Sequence, residues 1–289
     1  MRLTQSTLAA SGDCLRKAQY TLDRPVWARR VSSSPLAVGT GFHAGLELYY
    51  GARKNNDSNG PPFWAMPTLD DCIGRGIEIF NLSMTTDLYD DAPVDDFLWD
   101  DKIPDPETAH RYIAGMLTAY WPNHWPDDWD VLAVELHGQM VDEHVGAEMK
   151  IGADLVLVDP NNWLVAVDWK TAGRKWNEGK EHPRKNVQAP FYQRLLRKMY
   201  PGHAGYRFVF DIICYPSAKT GECAFERRIS DPQPEHEQAI ADRAKQFVQL
   251  YQTIHVEMGL DLPTNPASTL CSNRWCSFFS GCPSGAALN

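Results

Sequence analysis

The spacing of apolar positions divides the chain into two unlike parts. Up to about residue 128 the pattern is helical. Phe42, Leu46 and Tyr49 recur at helical spacing and predict a helix over 38–52. Asp105-Pro106 opens another, with Asp as N-cap and Pro in the first turn; Ala109, Ile113, Met116, Leu117 and Tyr120 then repeat at steps of three and four. Residues 55–67 crowd Asn, Asp, Ser, Gly and Pro together and read as a surface loop, and 87–105 form a second, acidic soft stretch. The character changes at Trp129. Residues 131–136, 150–158 and 164–169 are short, β-branched and apolar, as strands are, and Asp159-Pro160-Asn161-Asn162 is turn chemistry that makes the last two an antiparallel hairpin. A helix over 186–199 follows, with Val187, Phe191, Leu195 and Met199 on one stripe, then strands over 206–215 and 223–229, then a long helix over 234–258. The tail, 262–289, is rich in Pro, Ser, Asn and Cys and has little regular pattern. This order predicts a mixed α/β fold around a small sheet flanked by helices. A helical N-terminal part (1–128), a core (129–232) and a C-terminal helix with a cysteine-rich tail (233–289) are expected to pack as one globular unit.

Composition narrows the possibilities. At 289 residues, 43% hydrophobic and 22% charged, the chain has the makeup of a soluble globular protein. No window approaches eighteen consecutive apolar residues, so no membrane span is expected. No apolar run of signal-peptide length stands at the N-terminus, which leads to the expectation of a cytoplasmic protein. There the seven cysteines would be reduced or bound to metal, and their odd count argues against a closed disulfide framework. A net charge of −9 excludes a broadly basic nucleic-acid coat. It leaves room for a local basic patch, or for a metal bridging carboxylates to phosphate.

The chemistry concentrates in Gly152-Ala153-Asp154 and Asp168-Trp169-Lys170-Thr171. Side chains alternate along a strand, so Asp168 and Lys170 share a face. The hairpin permits a register that opposes Asp154 and Asp168. Two carboxylates that close repel, and a divalent cation relieves the repulsion; oxygen ligands suit Mg²⁺ or Mn²⁺. Solvated charges on an outer sheet face are the bland alternative. The nearly continuous apolar runs around them weigh against it, because such strands are covered on both faces and a charge set into them needs a partner.

Gly-x-x-Asp fourteen residues before Asp-x-Lys-Thr, followed by Gln188-x-x-x-Tyr192 on a helix, resembles the RecB-type branch of the PD-(D/E)XK nuclease superfamily. The resemblance implies a restriction-endonuclease-like core sheet. It implies metal binding by Asp154 and Asp168, service of the attacking water by Lys170, and a Gln188/Tyr192 helix beside the site that touches nucleic acid. Gly41-Phe42-His43-Ala44-Gly45-Leu46-Glu47 resembles the family's upstream helix, whose His is a metal ligand; His43 is the third expected ligand, and Glu47 is read as a surface carboxylate. Glu135 lies where related proteins often carry a Glu and is read as supporting the ligands from behind.

Cys271-x₄-Cys276-x₅-Cys282 is a tight cluster of thiols, and a closed four-ligand site needs one more. Cys14 is the candidate. One Cys near the start and three near the end resemble the Cas4- and AddB-type nucleases, which implies a [4Fe–4S] cluster stapling the chain ends, with zinc the competing metal. The first gap, four residues rather than the usual two, departs from that pattern. Cys72, Cys214 and Cys223 read as small core residues.

Residues 174–185 hold five Lys or Arg in twelve positions. The loop is expected to contact phosphate, with Trp176 free to stack on a base. Together these features point to a metal-dependent deoxyribonuclease of exonuclease type, acting on DNA ends or single strands in recombination, repair or phage- or CRISPR-type processing. It would work alone, as a homo-oligomer or with a DNA-processing partner. The rival readings are a nucleic-acid-binding module that no longer cleaves, and an iron–sulfur assembly subunit of a larger DNA-processing complex.

Overall fold

The computed structural model describes residues 1–25, 28, 30–59, 65–88, 91–268, 271, 276 and 278–283, with the side chains of 57–59 and 280 excepted. Its strands are β1 (Arg2–Thr4), β2 (Val31–Ser33), β3 (Thr86–Asp87), β4 (Ala92–Pro93), β5 (Asp96–Leu98), β6 (Asp130–Asp142), β7 (Ala147–Val158), β8 (Trp163–Ala172), β9 (Gly205–Cys214) and β10 (Phe225–Ser230). Its α-helices are α1 (Gln5–Asp13), α2 (Leu15–Asp23), α3 (Ser34–Asn59), α4 (Leu69–Ser83), α5 (Pro106–Tyr120), α6 (Gln188–Met199) and α7 (Pro234–Leu250). The fold is mixed α/β, as the sequence predicts.

One six-stranded sheet organises the chain in the order β1-β7-β8-β9-β10, with β6 on the other edge of β7. β7 and β8 form the predicted antiparallel hairpin, β8 and β9 run parallel across the crossover through α6, and β9 and β10 are antiparallel. Strand β8 shows why the sequence reads as nearly continuous apolar: both of its faces are covered. Leu164 and Ala166 join a core with α1, α6 and α7, while Val165, Val167 and Trp169 join a second core with α3 and α5.

The pairing of β7 is split, and this creates the site. β6 pairs along its whole length. On its other edge, β1 pairs with Glu148–Lys150 and β8 with Leu155–Val158. Between them 151–154 have no strand partner on that side, so the sheet forks at Asp154. Extending the ladder by one step past Leu155–Val167 opposes Asp154 to Asp168, the register expected from the turn.

Helix α5 behaves as its pattern predicts. Asp105 caps it by accepting from the Thr108 amide at 2.7 Å, and Ala109, Ile113, Met116, Leu117 and Tyr120 are all buried. Helix α3 is longer than predicted; it runs through 55–59, which the composition marks as loop, and 60–64 lie outside the described residues. Its Gly41 and Gly45 are packing positions: a Cβ at Gly41 would sit 2.6 Å from the Gly76 carbonyl and one at Gly45 would sit 2.8 Å from the Cys72 carbonyl. Removing both side chains lets α4 lie close against α3 and fixes the helix turn that carries His43. The long C-terminal helix stays α only to Leu250 and widens to a π-helix over Tyr251–Glu257. Tyr251 there donates to Asp23 of α2 at 2.5 Å, and His255 lies 3.2 Å from the same carboxylate.

Candidate active site

Asp154 sits at the fork with its side chain 13% exposed. Its Oδ2 accepts from the Trp169 amide at 2.6 Å, a side chain taking the place of the missing strand pairing. Helix α3 lays His43 across the opening, edge-on to the Trp169 ring. His43 Nε2 lies 2.9 Å from the Trp169 carbonyl. A carbonyl can only accept, so Nε2 carries a hydrogen, and whenever the ring is neutral Nδ1 is the nitrogen with the lone pair. That Nδ1 is 3.8 Å from Asp154 Oδ2. The arrangement is the one a metal-ligating histidine needs: one nitrogen held by a backbone acceptor, the other turned toward a carboxylate.

Glu135 completes the group. The β6–β7 register places it across from Asp154, between the Val134–Leu155 and Leu136–Ala153 pairs. Its φ is +47°, left-handed backbone that a non-glycine residue adopts at a cost of roughly 1 kcal/mol or more. Its carboxylate, the Asp154 carboxylate and a His43 ring nitrogen all lie within 4.8 Å of one another. Burial pushes Glu135 up to about 8, and the charges of Asp154, Glu47 and Asp168 push it the same way. Asp154 is raised to about 6 by burial, against the pull of His43, with Asp168 adding repulsion. Two crowded carboxylates and a lone-pair nitrogen form a set short of positive charge. Oxygen ligands with one imidazole fit a divalent cation.

Asp168 is differently engaged. Its Oδ1 accepts from Gln188 Nε2 and its Oδ2 pairs with Lys170 Nζ, each at 2.5 Å. It lies outside the group that His43, Glu135 and Asp154 form within 4.8 Å. Its charge nonetheless reaches both other carboxylates. Burial alone would lower Lys170, but Asp168 and then Asp154 outweigh it and raise it, so the amine is held as an ammonium.

Gln188 and Tyr192 are in the interior, 8% and 6% exposed. Asn186 starts their helix by accepting from the amides of Gln188 and Ala189. Gln188 fixes Asp168 from below. The Tyr192 hydroxyl lies beside the backbone of Gly152, and burial raises it. The sequence-based expectation that this helix touches nucleic acid does not match that burial; both side chains face the carboxylates. Trp176 also differs from expectation. Its ring packs on Phe210 with centroids 5.1 Å apart, and Lys180 Nζ covers it at 4.3 Å, so it is not free to stack on a base.

The site opens into a groove of about 1150 Å³ lined by His43, Glu47, Glu135 and Lys170 among others. Arg24, Arg30 and Arg75 also line it, as do Tyr20 and Phe278. The last two rings lead to a second, smaller pocket bounded by Cys14, Cys271, Cys276 and Cys282 with Arg16, Lys17 and Phe279. Burial raises the Cys271 thiol, and Cys276, Cys282 and Cys14 each add to the shift. Cys14 reaches this pocket from the junction of α1 and α2, where it caps the end of one helix and starts the next. Of the three cysteines read as core residues, Cys72 and Cys214 are buried and Cys223 is partly buried.

Glu135 is the functional candidate that sequence reasoning undervalued. The available signal was a carboxylate inside the apolar run Val131-Leu132-Ala133-Val134-Glu135-Leu136. Alternation along β6 could not foresee the left-handed residue that orients it.

Among the described residues no helix is long and apolar enough to cross a membrane. No curated protein matches the chain. Of the solved structures similar to it, a candidate exonuclease from Eubacterium rectale aligns at 13% identity and TM-score 0.37, over 82% of this chain and 84% of that one. SSO0001 aligns at 12% identity and TM-score 0.33, over 97% of this chain and 95% of that one. The model of the PD-(D/E)XK nuclease superfamily matches residues 2–283, and the chain, a nuclease by that descent, belongs to this superfamily.

Proposed function

We propose that the protein is a divalent-metal-dependent deoxyribonuclease of exonuclease type, with the fork of the sheet as its active site. The observation that carries this reading is the joint placement of His43, Glu135 and Asp154 beside the Asp168–Lys170 pair. Mn²⁺ or Mg²⁺ bound there would supply charge for the phosphate oxygen and a more acidic water. His43, Glu135 and Asp154 would hold it, with Asp168 completing the anionic wall. Lys170, kept charged by Asp168, orients the attacking water and balances negative charge on the phosphate as it develops. Gln188 holds Asp168 in the rotamer that meets Lys170, and Tyr192 closes the floor of the fork against water.

The four cysteines line one pocket, and in the Cas4- and AddB-type arrangement they would hold a structural [4Fe–4S] cluster, with zinc as the competing occupant. Such a group would join Cys14, at the start of α2, to the C-terminal tail. Iron and sulfide analysis of anaerobically purified protein separates the two: iron with acid-labile sulfide supports the cluster, and stoichiometric zinc without iron overturns it.

The test of the activity is digestion of end-labelled single- and double-stranded DNA with Mn²⁺, beside repurified Lys170→Ala. Progressive release of label from the ends by wild type, and none by the variant, is expected. Binding without cleavage by wild type would favour the non-cleaving module instead.

A further inference from the structure

Asp168 and Lys170 lie on the same face of β8 as its neighbours on β9. Asp168 is in register with Phe210 and Lys170 with Ile212 in the parallel β8–β9 pair, and side chains in register stand about 5 Å apart on one face. The Trp176 ring packs against Phe210 at a tilt of 51°, centroids 5.1 Å apart, and the Lys180 ammonium lies 4.3 Å over the Trp176 ring. Three layers thus lead from the sheet beside Asp168 outward to the amine of Lys180.

The loop that carries these residues is fastened from beneath. Arg228 of β10 donates to the carbonyls of Trp176 at 3.0 Å and Asn177 at 2.9 Å, and pairs with Glu181 at 2.9 Å. Ser230 donates to the Glu181 carbonyl at 2.7 Å. Gly179 turns the chain in left-handed conformation, φ +73°, immediately before Lys180. Lys180 itself is exposed, and Glu181, the carboxylate that follows it, is occupied by Arg228. Burial lowers the Lys180 amine, and the positive charges of Lys170 and Arg174 lower it further, as expected of cations gathered around one place. In a chain of net charge −9, Lys180 and Arg174 of this loop stand near enough to Lys170 of β8, beside the carboxylate fork, for their charges to interact, which favours an anion there.

We infer that Lys180, held over Trp176, is a phosphate-positioning residue of the nuclease: it grips a backbone phosphate of the DNA strand on the Lys170 side of the fork. The inference rests on the nuclease reading. Trp176 serves as the platform that sets the height of the ammonium, and base stacking is not its task. A charge-assisted contact of this kind contributes about 1.5–3 kcal/mol, or about 10–100-fold in affinity.

The test compares wild type, Lys180→Ala, Lys180→Arg and Lys245→Ala on one end-labelled oligonucleotide with Mn²⁺, over a salt series, with thermal unfolding of each protein recorded. Lys245 lies on α7 and removes an equal charge elsewhere. Lys180→Ala is expected to raise KM about tenfold with little change in kcat, and to reduce the slope of log affinity against log salt by about one. Lys180→Arg should recover most of the loss, Lys245→Ala should resemble wild type, and unfolding temperatures should not differ. If Lys180→Ala keeps the wild-type KM and salt slope, or if Lys245→Ala loses as much, the inference is overturned. If wild type itself does not cleave, the nuclease reading fails. The variants' binding to the same oligonucleotide, measured by fluorescence anisotropy, then decides the Lys180 assignment by the same two comparisons.

Discussion

The sheet fork and the cysteine pocket are two candidate metal centres built in opposite ways. At the fork, Asp154, Asp168 and Lys170 lie within seventeen residues on two paired strands, and regular backbone fixes their relative positions. Burial, with repulsion between neighbouring carboxylates added to it, lets Glu135 and Asp154 hold protons well above the ordinary carboxylate range. The cysteine pocket instead joins Cys14 to residues more than 250 positions away, on a tail whose described residues have little regular structure. Its wall is held by polar contacts, Arg16 donating to the Leu262 carbonyl and to Asp261 and Gln19 to Asp261, and by a few apolar ones, with the Tyr20 and Phe278 rings edge-to-face and Leu262 and Phe279 buried. The fork is thus ordered by the fold and crowded with charge, whereas the proposed occupant of the pocket would add order to the tail. A metal should change the chemistry of the first and the stability of the second.

Breaking the pocket should have the largest structural effect. Cys276→Ser is expected to lose bound metal and to free the tail for limited proteolysis, since structural metal binding is itself folding free energy. Mn²⁺ binding at the fork should survive. A variant whose tail resists protease as wild type does would remove the contrast. At the fork, Glu135→Gln should weaken Mn²⁺ binding by about 10–100-fold while leaving the fold intact, as loss of a ligand or its close support does elsewhere; calorimetric titration measures it. His43→Ala should narrow the preference for Mn²⁺ over Mg²⁺, because imidazole favours the softer ion. An unchanged ratio of rates with the two metals would remove His43 from the site.

The pH dependence sharpens the same contrast. Glu135 and Asp154 have folded-state values of about 8 and about 6, above those of the unfolded chain. A raised carboxylate stabilises the fold fully below its unfolded value, and that contribution is lost as pH rises through the folded one. Metal-free protein should therefore lose stability from the acid carboxylate range up to about pH 8. Mn²⁺ competes with those protons, so its stabilising shift in unfolding temperature should be larger at about pH 8 than at about pH 5.5. A shift independent of pH would show that these carboxylates do not bind it. The smallest effect is expected from Gln188→Ala, about tenfold in kcat/KM through a loosened Asp168, read from initial rates.

Much of this was legible in the sequence where local rules operate. The hairpin, its register and helix α5 follow from turn chemistry, alternation and an Asp-Pro start. Asp154, Asp168 and Lys170 were readable because charges inside apolar strands need partners. What was not legible depends on non-local geometry. The left-handed backbone at Glu135 has no composition signature. Trp176 reads as exposed from its charged neighbours, yet Phe210, more than thirty residues later, supplies its packing surface. The loop read over 55–67 is helical as far as Asn59, where composition favoured a break that the helix does not make.

The central claim, that the fork holds one divalent cation in the hands of His43, Glu135 and Asp154, is met most directly by anomalous diffraction from crystals of the protein soaked in Mn²⁺. One strong manganese peak is expected within coordination distance of His43 Nδ1 and of carboxylate oxygens from Glu135 and Asp154. A peak bound elsewhere, with those three side chains still in mutual contact and metal-free, would contradict it.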